Sequence, residues 1–157
     1  MDTRIASLRI LLVLLFIGLV GAACTAAPAA SPDEKTEIAS VVTGFGQKLG
    51  QVSLLSPTAA DDIRSEYAGY VSPALLDQWA ADPLQAPGRV TSSPWPDHIE
   101  ITSIDKIAAE EYQVTGNIIE VTSVEVGTGG AAATIPVRIT LHEDSQGHWL
   151  ITDLKQG

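Results

Sequence analysis

Cysteine occurs once in the 157 residues, at Cys24, and histidine only three times. One thiol excludes an internal disulfide, and no Cys/His spacing of the zinc-finger type is present. Bases are scarce as well: nine Lys and Arg stand against 19 Asp and Glu, a formal charge of -10. No basic cluster interrupts this excess, and an acidic surface repels phosphate backbones, so nucleic acid is not an expected partner. The catalytic signatures are missing too. There is no Gly-x-Ser-x-Gly elbow, phosphate loop or His-Glu-x-x-His. Gly127, Gly129 and Gly130 follow a strand pattern with no helix pattern after them, so they are not a dinucleotide fingerprint. No cofactor and no metal are expected.

What the chain does have is a distinctive start. Arg4 and Arg9 form a positive region, Ile10 to Val20 an apolar run, and Gly21-Ala22-Ala23 the small residues that a signal peptidase groove admits. The apolar stretch from Ile10 to Ala23 falls short of the roughly 20 residues that span a bilayer, which makes a permanent transmembrane anchor the weaker reading. Val20-Gly21-Ala22-Ala23-Cys24 resembles the lipobox of bacterial lipoproteins, although Gly21 stands where Leu is usual. The resemblance implies that the Cys24 sulfur carries a diacylglyceryl group and that Cys24 becomes the new N-terminus. Two acyl chains there give stable anchoring. The alternative is ordinary cleavage that leaves Cys24 a free thiol. Either way the location expected is extracytoplasmic, and with lipidation the partner of Cys24 is the cell membrane.

Thr25 to Pro32 is small, uncharged and proline-bearing, so it reads as an extended spacer. The expected organisation is a signal peptide over 1–23, a tether over 24–32 and a single domain over 33–157. That domain is long enough for one core.

Ser31-Pro32-Asp33-Glu34 is a helix start: Ser31 can cap, Pro32 suits the first helical position, and Glu34 completes a capping box. Ile38, Val41, Val42, Phe45, Leu49 and Val52 follow on one stripe. Gly44 and Gly46 mark close packing or a bend, and Gly50 an end. Ser56-Pro57 and Ser72-Pro73 repeat the start signal, predicting a second helix with Ile63, Tyr67 and Tyr70 and a third with Leu75, Leu76 and Trp79 that stops before Pro83. Tyr67, Tyr70 and Trp79 read as core or cavity wall. Asp82 to Pro96 holds four prolines and no periodicity. In it Arg89 offers a fork of donors for an anion and Trp95 a broad apolar face, so the stretch reads as a binding loop or a proline-stiffened crossover.

After Pro96 the period becomes two. His98 to Ile107 predicts a strand with a bulge near Thr102-Ser103, because Ile104 falls out of phase with Ile99 and Ile101. Tyr112, Val114 and Ile118 share a face of a second strand until Ile119 and Val121 switch sides. Gly127 to Gly130 predicts a mobile hairpin tip, and Ile135, Val137, Ile139 and Leu141 alternate along a third strand. His148 to Leu154 forms a fourth. Helices followed by strands predict an α+β fold with a curved antiparallel sheet of about four strands.

This order resembles the nuclear transport factor 2-like (cystatin-like, SnoaL-like) superfamily, and the lipobox with such a domain resembles small lipoproteins of Gram-positive envelopes. The resemblance implies a cone with a pocket at its open end, for which Arg89, Trp95, Tyr67, Tyr70 and Trp79 are the candidate lining. A non-enzymatic module binding a small molecule or an envelope protein is the function expected; docking on another envelope protein is the alternative, and an isomerase- or dehydratase-type enzyme the third reading. For the last, Asp97-His98 is the tempting pair, yet neighbours on a regular strand point to opposite faces. His142 and His148 flank a turn and would make at most an incomplete metal site.

Overall fold

The computed structural model describes residues 31–157. Cys24 and the stretches expected to be a leader and most of a tether lie outside them. The fold is α+β, with helices packed on one face of a four-stranded antiparallel sheet.

Helix α1 spans Pro32–Gly46 and starts as its sequence dictates. The Ser31 hydroxyl accepts from the Glu34 amide at 3.1 Å, and the Ser31 amide donates to the Glu34 carboxylate at 3.0 Å. Ile38, Val42 and Phe45, at helical spacing, are fully buried against the sheet. The helix ends earlier than the apolar stripe. Leu49 and Val52 reach the core from a 3-10 turn, Leu49–Gln51, and the extended residue after it. The glycines here mark close packing: a Cβ on Gly46 would stand 2.7 Å from the Ile99 amide nitrogen, and one on Gly50 2.6 Å from the Pro96 carbonyl oxygen.

Helix α2 spans Ala59–Tyr67, starting after Thr58 rather than at the Ser56-Pro57 signal. Ser56 spends its hydroxyl on the Thr58 amide and hydroxyl instead, and Tyr70 lies beyond the helix end. Helix α3, Pro73–Ala81, is capped by Ser72 as expected and stops before Pro83.

Strands β1 (Trp95–Ala108), β2 (Glu111–Val121), β3 (Ala133–Glu143) and β4 (Trp149–Gln156) are ordered as in the chain. The register between β1 and β2 shifts between Ile101 and Ser103, the bulge that the phase of Ile104 predicts. Further shifts lie between Pro96 and His98, between Lys106 and Ala108, and, in the β3–β4 pairing, between Thr140 and Leu141. Each adds local twist. The connection from β2 to β3 departs from the expected glycine tip, because a short helix α4, Ser123–Thr128, opens it. Thr122 and Glu125 form a capping box there, a signal that the glycine run masked.

Candidate functional site

Three of the five candidate lining residues join the core. Phe45 and Tyr67 meet edge to face at 5.0 Å, Phe45 and Trp79 stack at 6.2 Å, and Tyr67 meets Trp79 at 6.1 Å. Tyr67 and Trp79 are 0% and 2% exposed. Burial pushes the Tyr67 phenol pKa up, and its hydroxyl donates to the Pro87 carbonyl at 2.7 Å, which ties the segment after α3 to the core. Tyr70 is half-buried, with its ring against α1 where Gly44 leaves room; a Cβ there would meet it at 2.7 Å.

Arg89 and Trp95 are fastened to the segment that follows α1. The Arg89 amide donates to the Val52 carbonyl at 2.8 Å, and its own carbonyl accepts from Leu54 at 2.9 Å. Trp95 opens β1 opposite Val121 and lies 3.7 Å from where a Gly50 Cβ would stand. The stretch between Asp82 and Pro96 is thus more ordered than its composition predicts: it holds a 3-10 turn, Pro83–Gln85, and the bridge from Arg89 to Ser53. Among the described residues the Arg89 guanidinium has no ion-pair partner. Three surface depressions, around Arg138, around Glu110 and around Glu37, are lined by none of the five.

Asp97 and His98 do come together, contrary to the expectation for adjacent strand residues. The register shift between Pro96 and His98 breaks the alternation, and His98 Nδ1 lies 2.8 Å from Asp97 Oδ2. Both side chains are about half exposed, 48% and 45% respectively. His142 and His148 are not opposite one another. His142 pairs in register with Leu150 and bonds the Glu143 carbonyl through Nδ1 at 2.8 Å, while His148 Nδ1 lies 3.5 Å from Asp144. The His148 amide bond lowers the Asp144 pKa, followed by the Gln146 amide. No three metal-ligating side chains gather among the described residues.

Two poles differ in character. The Ser31 end of α1 meets the β1–β2 turn, since Glu34 bonds Lys106 and Tyr112, and the β3–β4 turn joins it through the Glu143 amide and Glu110 carbonyl. This near pole collects Asp33, Glu34, Glu37, Glu110, Glu111, Glu143 and Asp144. The far pole, about 22 Å along α1, holds the exposed apolar residues Leu55 and Val90, and Val124 and Val126 on α4, all 54% to 66% exposed. Of the six large apolar residues exposed among the described residues, these four share that end, whereas Ile107 lies beside Lys106 at the near pole and Leu84 in the turn after α3. Single exposed apolar residues are ordinary, and it is the grouping of the four that is informative. Local sequence gave no sign of it, because it arises from where the Arg89 bridge and the Trp95–Val121 pairing put separate segments.

No helix among the described residues is long and apolar enough to cross a membrane. Comparison with known protein families finds none that matches this chain, and comparison with curated proteins finds no significant relative.

Proposed function

We propose that this chain is a lipid-anchored extracytoplasmic protein, held to the membrane through Cys24, whose domain binds another envelope protein rather than enclosing a small molecule. The observation that carries this reading is the filled interior. Phe45, Tyr67 and Trp79 pack on one another, edge to face or stacked, and all three are buried, so Tyr67 and Trp79, expected as pocket lining, are spent on the core. With the interior closed, recognition falls to the surface, where apolar area is the common currency of association.

The tether meets the domain at Ser31, on the acidic pole. Attachment there keeps the acidic pole toward the membrane, repulsion from the anionic surface keeps that pole from adhering to it, and the far pole with Leu55, Val90, Val124 and Val126 is left facing outward. That end is the partner-facing one in this reading. Replacing Val124 and Val126 together by Asp should abolish co-purification of a partner from solubilised membranes while circular dichroism and the unfolding midpoint stay unchanged. A partner retained undiminished by this variant would overturn the assignment of the far pole.

A further inference from the structure

The solvent face of the sheet carries a row of paired positions, Ser103, Thr115, Arg138 and Lys155, one from each strand. Two cations therefore stand directly opposite each other on β3 and β4. Like charges at facing positions of a sheet oppose its formation. They are the more conspicuous because the described residues hold seven Lys and Arg and 18 Asp and Glu, so a carboxylate opposite Arg138 would have been easy to supply. Arg138 has no ion pair among the described residues. Lys155 has a 3.1 Å contact with Asp153, its neighbour two positions away, but both side chains are well exposed, and such a pair is weak. Thr115, Arg138, Lys155 and Gln156 line a shallow pocket of about 270 Å³, together with Pro136, Val137 and Gly157.

We propose that this row is an oxyanion-binding site. The Arg138 guanidinium offers a planar fork for two oxygens, the Lys155 ammonium a point charge from the facing strand, and Thr115 and Gln156 neutral donors beside them. The ligand class is a phosphate-type oxyanion, either free in solution or borne on an anionic lipid headgroup. Asp153 acts against it by competing for Lys155. The stability lost to the facing cations is offset when the anion binds between them. This site stands apart from the apolar pole, so neither depends on the other.

The test is a titration of the full chain, isotope-labelled and held in uncharged detergent, with sodium phosphate against sodium chloride at matched ionic strength. Phosphate should shift the Arg138 side-chain resonance and the Thr115 and Gln156 amides saturably. Arg138→Gln and Lys155→Gln should each weaken the apparent Kd about tenfold or more, and Asp153→Asn should tighten it. A change of this size corresponds to about 1.4 kcal/mol. Arg138→Gln should leave the unfolding midpoint unchanged or higher, which separates lost binding from lost folding. Shifts produced by phosphatidylglycerol vesicles, and not by phosphatidylcholine vesicles or free phosphate, would support the site with the lipid headgroup as its ligand. If neither phosphate nor anionic vesicles act beyond the chloride control, or if both Gln variants titrate like the parent, the site is overturned.

Discussion

Glu34 and Lys106, 72 positions apart in the chain, form a 2.8 Å ion pair in which the lysine side chain is only 10% exposed. The Tyr112 hydroxyl donates to the same carboxylate at 2.9 Å, and Lys106 Nζ lies 5.4 Å from the Tyr112 ring centre, within cation–π reach. The residue that completes the capping box of α1 therefore also fastens that helix to β1 and β2. It does so three residues after Ser31, so that in the tethered arrangement proposed above a pull on the chain before Ser31 would be taken up by the sheet as well as by the helix end.

This arrangement makes stability depend on pH at both extremes. The Lys106 hydrogen bond, then the Ser31 amide and the Tyr112 hydroxyl, lower the Glu34 pKa from 4.5 to about 2. A depressed carboxylate contributes fully above its unfolded value and loses that contribution as pH falls from about 4.5 through about 2. Burial, followed by the Glu34 bond, raises the Tyr112 pKa from 10.0 to about 12. Its contribution is complete below pH 10 and lost as pH rises through about 12. Unfolding midpoints should fall more steeply between pH 4.5 and pH 2 in the parent than in Glu34→Gln. Equal slopes would mean that the carboxylate is not held as described.

Phe45→Ala should be among the most damaging single changes, since it empties the centre of the aromatic cluster. A loss of about 3 to 5 kcal/mol in urea unfolding is expected for a buried phenylalanine. A loss below about 1 kcal/mol would show an interior loose enough to collapse or to admit a ligand.

Gly46→Ala should cost about 1 to 3 kcal/mol, because its new methyl meets the Ile99 backbone and cannot be relieved by a rotamer change. Gly69→Ala, where a Cβ meets nothing within 4 Å, should change stability by no more than about 0.5 kcal/mol. Similar costs at the two positions would argue against the close approach of α1 to β1.

Cys24→Ser removes the sulfur that a diacylglyceryl group needs. Cell fractionation should then find the protein released into the medium or stalled as unprocessed precursor. Membrane retention at mature size would contradict lipid anchoring.

The elements whose signals are local were legible in the sequence. Ser31 and Ser72 each cap a helix with proline after them, and the phase slip at Ile104 marks its bulge, because each depends on residues a few positions apart. Contacts between distant segments were not. Nothing near Glu34 points to Lys106, and nothing near Arg138 points to Lys155, since both pairs depend on which strands become neighbours and in what register. Helix α4 was hidden for another reason: the glycines at 127, 129 and 130 outweighed the Thr122–Glu125 capping box in the pattern. For the candidate site, Tyr67, Tyr70 and Trp79 were legible as core or cavity wall, but the choice between them depends on whether Phe45 reaches the same space, which spacing along one helix does not determine.

In the proposed arrangement a tethered domain with a closed interior meets a protein partner at its far end. The decisive experiment places a photo-crosslinking amino acid at Val124 or Val90 in one set of variants and at Glu110 or Glu37 in another, then irradiates intact cells. A discrete protein adduct should form from Val124 or Val90 and be absent or much weaker from Glu110 and Glu37. Adducts confined to the Glu110 and Glu37 variants, or none from any position, would contradict this arrangement.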